Sequence, residues 1–406
     1  MMLEELVYDW NQPDAALYAL ARDLQFQDET LRDGLQCPSV CDPPIEAKLE
    51  ILHLMEALGI HGADVGLPGA GPRAVEDVTR IVGEIVEQKL KIKPSCAGRT
   101  LAVDIDPIAH IAEKTGKVLE ADLFIGSSPI RQYAEGWDLD RLLHVTEEAV
   151  TYAVERGLEV MYVTEDTVRS HPEALRRLYR TAIECGARRI CLCDTVGHAT
   201  PRGVFALVEF IQEVVRDTAE DVKLDWHGHR DRGLSVPNTL AAVRAGVDRV
   251  HGTALGIGER VGNTPMELLL LNMKLMGAID NDLRRLPDYL EAVGRHCKVP
   301  IPPSWPGVGR DCFRISSGDR AEALDRLRER GLEHLMEHLF SSVPCSDLSR
   351  SWEYAVGPGS SPANAAGWYR SQGRAVPPDG LAALVERARE SGRTLSSEEM
   401  LEEVVR

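Results

Sequence analysis

The chain lacks the features that mark membrane, secreted or nucleic-acid-binding proteins. Its 406 residues contain no run of 18 apolar residues, the length that a membrane-spanning helix requires. The N-terminal segment is acidic and has no apolar signal core, so a cytoplasmic location is expected. The formal net charge is −18 and no Lys or Arg run interrupts it, which argues against nucleic acid and anionic membranes as partners.

Two further classes of protein find no support in the sequence. The nine cysteines are scattered and odd in number, and Cys191 and Cys193 stand two apart within an apolar stretch. This pattern favours buried thiols in a reducing compartment over a disulfide framework or a zinc knuckle. No glycine-rich fingerprint for dinucleotide binding follows the first predicted strand.

Junctions in which a helix, a glycine and a strand follow one another recur along the chain. An amphipathic helix is predicted over 45–58, Gly59 ends it, and a strand begins at once. Strands are predicted at 24–27, 60–66, 92–97, 119–126, 158–164, 187–194, 222–228 and 247–253. Eight strands alternating with helices over about 250 residues predict an α/β protein with a closed (β/α)8 barrel. A doubly wound open sheet is the alternative.

Three segments are predicted: an N-terminal arm over 1–22, the catalytic barrel over 23–300, and a C-terminal segment over 301–406. The last begins with a Pro-rich linker and contains a second Gly/Pro/Ser stretch over 356–363. Helices are predicted near 319–330, 332–341, 379–391 and 396–405. We expect this segment to be a lid or dimerisation subdomain, and a passive cap is the alternative.

Acids, imidazoles and arginines follow the predicted strands, at the end of a barrel that carries chemistry. They are Arg32, Asp33, Asp64, Arg99, Ser127, Ser128, Arg131, Glu165, Asp166, Asp194, Thr195, His227 and His229. Loops are polar in any protein, which is the alternative explanation. The convergence of these residue types on one rim, with few lysines, favours an active site.

His227 and His229 form a His-x-His pair at the end of the seventh predicted strand. Residues two apart on a strand face the same side, so both imidazoles can reach one metal ion. A hydrogen-bonded surface pair is the alternative. Together with Asp33 they offer two imidazoles and a carboxylate, leaving positions open for a chelating 2-oxo acid. Asn263 is a candidate for a further oxygen ligand.

Three other rim residues are candidates for roles in catalysis. Arg32 stands beside Asp33 and is predicted to hold a developing alkoxide, because a guanidinium presents fixed donors and stays charged. A salt bridge that ties the first loop to the rim is the alternative. Glu165 and Asp64 are predicted to transfer a proton or to orient another group that does so.

Taken together, the motifs resemble the DRE-TIM metallolyases, in particular the branch of 2-isopropylmalate and homocitrate synthases. They are Asp28-x-Thr30-Leu31-Arg32-Asp33-Gly34-x-Gln36, Ser127-Ser128-Pro129-Ile130, Thr164-Glu165-Asp166, Asp194-Thr195-Val196-Gly197-His198-Ala199-Thr200-Pro201, His227-Gly228-His229-x-Asp231-x-Gly233 and Gly256-x-Gly258-Glu259-Arg260-x-Gly262-Asn263. The resemblance implies a (β/α)8 barrel that condenses acetyl-CoA, as co-substrate, with a 2-oxo acid. Hydrolysis of the thioester then gives a 2-hydroxy-dicarboxylic acid.

The resemblance also implies roles for individual residues. The implied ligands of a divalent ion, Mg, Mn, Zn or Co, are Asp33, His227, His229 and Asn263. Arg32 is implied as the oxyanion-stabilising arginine and Glu165 as a catalytic acid. Gln36, Asp64 and Thr195 are implied in substrate binding, and the loop with Gly256, Gly258 and Glu259 in acetyl-CoA binding. A homodimer whose C-terminal subdomain covers the partner's barrel is expected, without a separate feedback-regulatory domain.

Two departures from the branch bear on proton transfer. Arg320 stands where a His serving the partner's active site is expected, and an arginine is no general base at neutral pH. The methyl proton then goes elsewhere, towards Glu165, or the reaction differs from that of the synthases. Asp64 occupies a position where Glu is common, which sets its carboxylate one methylene further back.

Arg131 is a third departure, because isopropylmalate synthases tend to have His at this position. It predicts a 2-oxo acid with a distal carboxylate, phosphonate or phosphinate, which an arginine can bind bidentately. A salt bridge to Glu135 or Asp138 is the alternative.

Two other functions stay open at this point. An aldolase or acyl-CoA lyase of the same superfamily would use the same site to cleave a hydroxy acid. An inactive barrel serving as a scaffold is the third possibility, and the presence of Arg32, Asp33, Glu165 and both histidines argues against it.

Overall fold

The computed structural model describes residues 6–11 and 23–402. Two compact units are present. The larger comprises the described residues of 10–282 together with 288–300, and the smaller comprises those of 1–9, 283–287 and 301–406. Most of the predicted arm over 1–22 lies outside the described residues, and the predicted segment boundaries stay predictions.

The larger unit is a closed barrel of eight parallel strands, as predicted. The strands are β1 (Gln25–Asp28), β2 (Gly62–Asp64), β3 (Lys93–Arg99), β4 (Glu120–Gly126), β5 (Glu159–Glu165), β6 (Arg189–Asp194), β7 (Lys223–Gly228) and β8 (Arg249–Gly252). β1 pairs in parallel with β8, placing Gln25 opposite Arg249 and Asp28 opposite Gly252. This pairing closes the sheet and excludes the open-sheet alternative.

Helices follow the strands around the barrel. In chain order they are α1 (Ile45–Ala57), α2 (Pro72–Glu87), α3 (Ala102–Thr115), α4 (Pro129–Glu135), α5 (Leu139–Glu155), α6 (Pro172–Glu184), α7 (Pro201–Thr218), α8 (Ser235–Ala245), α9 (Met266–Leu275) and α10 (Leu286–His296). Proline opens several of them, as at Pro172 and Pro201, where its missing N–H costs no hydrogen bond. Gly116 and Gly246 end α3 and α8 in the left-handed conformation.

The predicted apolar stripe of the first helix packs inward. Ile51, Leu52 and Met55 of α1 are fully buried, and burying one such side chain contributes roughly 1.5–3 kcal/mol. Gly59 follows with a φ of 71°, which turns the chain into β2. Among the described residues, no helix has both the length and the apolar character needed to cross a membrane.

The barrel interior carries paired charges near the N-terminal ends of the strands. Arg249 donates to Asp225 and to Glu120, each at 2.5 Å, and Arg189 donates to Asp225 at 2.5 Å. Asp225 is fully buried, so a missing partner here would leave an uncompensated charge. These ion pairs tie together strands β4, β6, β7 and β8.

The smaller unit is mainly helical and has a core of its own. Its elements are β9 (Arg314–Ile315), α11 (Gly318–Glu329), α12 (Met336–Leu339), β10 (Glu353–Tyr354), α13 (Pro362–Ser371), α14 (Leu381–Ser391) and α15 (Ser397–Glu402). Trp368 and Tyr369 of α13 pack with Leu324, Leu384 and Met400 in this core.

Two predictions for the C-terminal segment were inaccurate. The helix predicted over 332–341 is shorter, because a 3-10 turn over Glu333–Leu335 precedes the single turn of α12. The Gly/Pro/Ser stretch over 356–363 runs directly into α13, a helix that was not predicted. Ser361 and Asn364 form a capping box around Pro362, which starts this helix despite the linker-like composition.

Candidate active site

Three side chains from distant parts of the barrel unit converge at the C-terminal ends of the strands. His227 lies in β7 and His229 just beyond it, with their Nε2 atoms 3.3 Å apart. Asp33, in the loop after β1, places Oδ2 3.3 Å from Nε2 of His227 and 3.7 Å from Nε2 of His229. All three residues are buried. A carboxylate and two imidazole nitrogens thus face one point.

The protonation of these groups suits a cation. Burial and the neighbouring His227 together lower the pKa of His229 to about 3, which favours the neutral imidazole at pH 7. Burial raises the pKa of Asp33, but Arg32 and His227 outweigh it and hold that pKa well below its usual range. A charged carboxylate and a neutral imidazole are the forms that bind metal.

Asn263 supplies a further oxygen beside this group. The backbone of His229 pairs with that of Asn263 as an antiparallel bridge. The Oδ1 atom of Asn263 is buried without a hydrogen-bond partner among the described residues, as is Nδ1 of His229. An orphaned amide oxygen next to Asp33 and the two histidines fits a fourth metal ligand, because two imidazoles, a carboxylate and an amide oxygen suit a divalent ion.

The Arg32 guanidinium is held in place by carboxylates on several sides. Its Nε donates to Oδ2 of Asp64 at 2.7 Å, Nη2 donates to Glu29, and Nη1 lies 3.5 Å from Oδ2 of Asp33. These contacts raise the pKa of Arg32 well above its usual value despite burial. Burial raises the pKa of Asp64 to about 7. The arginine is therefore charged, and its position is fixed before any substrate binds.

Glu29 and His251 belong to the site although no role was predicted for them. Nδ1 of His251 lies 2.9 Å from Oε1 of Glu29, and its Nε2 lies 2.9 Å from Oδ2 of Asp225. Burial opposes protonation of His251, but Asp225 and Glu29 raise its pKa. Arg249 and His251 are two residues apart in β8, as Asp225 and His227 are in β7. Residues two apart face the same side of a strand, so this spacing was the signal in the sequence that could have identified His251.

A cavity of about 200 Å³ opens beside the metal-ligand candidates. Its lining residues are Glu29, Arg32, Asp33, Gln36, Leu67, Ala97, Asp122, Phe124, Met161, Val163, Glu165, Cys191, Cys193, Thr195, His227, His229, His251 and Glu259. Most of the site residues predicted from the sequence are therefore on one surface. The volume suits a small organic acid rather than a drug-sized ligand.

Glu165 and Thr195 face this cavity with unused hydrogen-bonding capacity. The Glu165 carboxylate accepts no hydrogen bond from the described residues, and burial raises its pKa. Oγ1 of Thr195 accepts the N–H of Asp166 at 2.8 Å, which leaves the hydroxyl proton free to donate.

The loop from Gly256 to Asn263 passes close to these groups. Gly256, Gly258 and Gly262 all have positive φ, at 61°, 151° and 96°. A Cβ on Gly258 would lie 2.6 Å from Nδ2 of Asn263, so glycine is required for the backbone to pass the amide. Arg260 pairs with Asp231 and donates to the carbonyl of Thr195, which fixes the loop to the strand ends.

Other rim residues are not brought into the cavity. Arg131 is half exposed and pairs with Glu135 at 3.3 Å, the contact that the alternative interpretation named. Arg99 pairs with Asp104 at 2.7 Å, and Asp166 pairs with Arg169 at 2.6 Å. In the smaller unit, the Arg320 guanidinium lies 5.4 Å from the ring centre of Phe340.

Further rim residues have structural partners. Asp194 accepts N–H groups of the turn before α7, from His198 at 2.7 Å and Ala199 at 3.2 Å. Ser128 caps the N-terminus of α4, and Ser127 Oγ donates to the carbonyl of Glu165 at 3.0 Å. These residues shape the rim rather than face the cavity.

Comparisons with known proteins agree with the barrel. A family model described as HMGL-like matches residues 23–293. The homocitrate synthase AksA of Methanopyrus kandleri is 35% identical over 300 residues, which cover 73% of this chain and 72% of that protein. The probable 2-isopropylmalate synthase of the same organism is 31% identical over 317 residues, 76% of this chain but 60% of that protein.

Solved structures with lower identity support the fold alone. The HMG-CoA lyase of Brucella melitensis aligns with a TM-score of 0.56 at 17% identity, covering 68% of this chain and 98% of that one. The hydroxymethylglutaryl-CoA lyase of Pseudomonas aeruginosa gives the same TM-score of 0.56 at 18% identity, over 67% of this chain and 92% of that one. Eight parallel strands close into a barrel, and the HMGL-like family model matches most of the residues that form it. This chain therefore belongs to the HMGL-like family.

Proposed function

We propose that this protein is an acyltransferase that condenses acetyl-CoA with a 2-oxo acid and then hydrolyses the thioester. The product would be a 2-hydroxy-dicarboxylic acid. The convergence of Asp33, His227 and His229 beside Arg32 is the observation that carries the proposal. Relatives named as homocitrate, 2-isopropylmalate and citramalate synthases, at 31–35% identity, point to the same reaction.

Asp33, His227, His229 and Asn263 would hold a divalent cation, Mg, Mn, Zn or Co, at the mouth of the barrel. When bound, it would act as a Lewis acid that polarises the ketone of the 2-oxo acid. Nδ1 of His227 lies 3.9 Å from Oε1 of Glu29, which is beyond hydrogen-bonding distance.

Arg32 stabilises the negative charge that develops on the ketone oxygen. Its guanidinium is held by Glu29 and Asp64, and the residue lines the cavity. A donor fixed before the reaction begins stabilises a developing alkoxide without reorganisation. Asp64 therefore acts through Arg32, as a positioning residue.

Glu165 moves a proton in this scheme. Its carboxylate is free of hydrogen bonds from the described residues, and its raised pKa brings it closer to the range in which a carboxyl can both accept and release protons. It can remove a proton from the methyl group of acetyl-CoA, a step for which Arg320 is chemically unsuited.

The remaining predicted residues orient the two substrates. The free hydroxyl proton of Thr195 can donate to the carboxylate of the 2-oxo acid, and Gln36 lines the same cavity. Gly256 and Gly258, which carry no side chain, would let the acetyl-CoA thioester approach the loop, and Glu259 lines the cavity beside them.

A free-thiol assay tests the proposed reaction. CoA release from acetyl-CoA is measured with and without each 2-oxo acid, and with and without EDTA, for the wild type and for Asp33→Ala. We expect release that requires both metal and oxo acid, and a loss of at least about 100-fold in kcat/KM in the variant. Release of acetyl-CoA or pyruvate from a hydroxy acid, with no condensation, would instead support the lyase or aldolase alternative.

We also propose that the protein is a cytoplasmic homodimer. Sedimentation equilibrium should then give twice the 44.8 kDa mass of one chain. A mass of one chain across the micromolar range would refute the dimer without affecting the proposed reaction.

A further inference from the structure

Asp122 is a buried carboxyl group at the floor of the active-site cavity. Its side chain is 4% exposed and lines the cavity. Asp122 lies two residues before Phe124 in β4, on the same face of the strand. Oδ2 accepts a hydrogen bond from Oγ of Ser95 at 2.6 Å. Oδ1 is buried and has no hydrogen-bond partner among the described residues. A buried polar atom left without a partner is costly, so an oxygen in this position calls for an explanation.

The hydrogen bonds around Ser95 define which oxygen of Asp122 carries a proton. Nε2 of Gln27 donates to Oγ of Ser95 at 2.7 Å, so Ser95 uses its own proton on Oδ2 of Asp122. Oδ2 is therefore an acceptor. Burial raises the pKa of Asp122 well above its usual value, and the nearby carboxyl groups of Glu120 and Asp64 raise it further. In the neutral acid the proton is therefore on Oδ1, the oxygen that has no partner among the described residues.

The surroundings of Asp122 offer few other polar contacts at this depth. The small or apolar side chains that line the cavity are Leu67, Ala97, Phe124, Met161, Val163, Cys191 and Cys193. The charged groups Arg32, Glu165 and the metal-ligand candidates are at the strand ends, above this floor. A substrate side chain that points down the barrel from the metal-ligand candidates therefore meets mainly apolar side chains and the Asp122 carboxyl group, besides the paired Glu29 and His251.

We propose that Asp122 selects the 2-oxo acid by donating a hydrogen bond from Oδ1 to an oxygen at the far end of the substrate side chain. This inference rests on the proposed condensation and names its substrate class. The class is a 2-oxo acid with a distal carboxylate or carbonyl oxygen, rather than one with a branched hydrocarbon side chain. An acid–carboxylate pair shares a proton in a short, strong hydrogen bond, so no arginine is needed at the floor.

The test compares two substrates and two substitutions. The kcat/KM values for 2-oxoglutarate and 2-oxoisovalerate are measured by CoA release for the wild type, Asp122→Asn and Asp122→Val. The wild type should prefer 2-oxoglutarate. Asp122→Asn should keep that preference, because the amide oxygen can accept from Ser95 while its N–H₂ replaces the protonated Oδ1 as the donor. Asp122→Val should lower kcat/KM for 2-oxoglutarate at least ten-fold and leave 2-oxoisovalerate unchanged or improved.

Val163→Ala is the matched control, since it changes the apolar wall of the same cavity without changing a polar group. It should alter both kcat/KM values in the same proportion. Equal effects of Asp122→Val on both substrates would overturn the inference, as would a wild type that prefers 2-oxoisovalerate. If Asp122→Val does not fold, the loss of the 2-oxoglutarate preference in Asp122→Asn would overturn it instead.

A binding measurement separates this inference from the proposed function. The increase in Tm produced by each oxo acid is measured with Mn²⁺ present and acetyl-CoA absent. A larger increase with 2-oxoglutarate, which Asp122→Val removes and Val163→Ala keeps, supports the role of Asp122 even if no CoA is released. Absence of CoA release with every oxo acid would refute only the condensation. Equal increases with both acids would refute the selection by Asp122.

Discussion

Glu165 is a carboxyl group whose pKa is influenced by charged neighbours of both signs. Burial raises this pKa, Arg131 lowers it, and Glu259 raises it. Arg131 therefore influences the pKa of Glu165 through its charge although it does not line the cavity. This long-range effect persists because the groups lie in or near a partly desolvated pocket, where charges are weakly screened.

The pH dependence of turnover should report these neighbours. Glu259→Gln removes a like charge, which lowers the pKa of Glu165 and moves the corresponding limb of the kcat/KM profile to lower pH. Arg131→Gln removes an opposite charge and should move that limb to higher pH. The sign of each shift is the same whether the protonated or the ionised form is active.

Asp106→Asn is the control for this pH experiment. Asp106 is exposed and pairs with Arg156 on the outside of the barrel, so its removal should leave the limb in place. Shifts in the same direction in Glu259→Gln and Arg131→Gln would show that Glu165 is not the titrating group.

At the scale of elements, the loop from Gly256 to Asn263 combines three glycines with a tight backbone contact. A Cβ on Gly262 would lie 1.9 Å from the carbonyl oxygen of Gly256, and Gly262 has a φ of 96°. The next residue, Asn263, is a metal-ligand candidate, and its backbone N–H donates to the same carbonyl oxygen of Gly256. The position of this candidate ligand therefore depends on the close contact between Gly262 and Gly256.

Gly262→Ala should therefore disturb the site more than it disturbs the fold. We expect a loss of at least about ten-fold in kcat/KM and a destabilisation of roughly 1–3 kcal/mol, because the new methyl group must displace Gly256. CoA release and urea unfolding measure the two effects.

Gly233→Ala is the control for the loop. Gly233 also has a positive φ, 69°, but a Cβ there meets nothing within 4 Å. Backbone strain should lower the free energy of unfolding of this variant by about 1 kcal/mol, and its kcat/KM should not fall. Equal losses of turnover in both variants would mean that the contact with Gly256 is unimportant.

At the scale of the whole molecule, the metal-ligand candidates connect the beginning of the barrel to its end. Asp33 follows β1, whereas His227 and His229 stand in and after β7. The unfolded chain does not hold these groups together, so a cation that binds them stabilises the folded state by mass action.

Removing metal should therefore lower the Tm of the wild type. Saturation at 100 times Kd contributes about 2.7 kcal/mol, which should shift the Tm by several degrees between EDTA-treated and Mn²⁺-loaded protein. Calorimetry measures this shift, and Asp33→Ala should lose it. A Mn²⁺-dependent shift of the same size in Asp33→Ala would show that the cation binds elsewhere.

The closed barrel and much of its rim were predictable from the sequence. Helix, glycine and strand alternate locally, and Gly59 adopts the left-handed conformation that its place in the pattern predicts. The strand ends were predictable for the same reason, so the sequence predicts that Arg32, Asp33, His227 and Glu165 are neighbours. Helix α13 was missed because its start depends on the capping box of Ser361 and Asn364, which the linker-like composition obscured.

The sequence by itself determined which residues lie at the strand ends, because period and order along the chain specify them. Only the tertiary structure decided which buried charges meet inside: His251 between Glu29 and Asp225, and Asp122 against Ser95. Those contacts depend on the stagger between neighbouring strands when the barrel closes. That stagger is a property of the whole sheet, and no single strand encodes it.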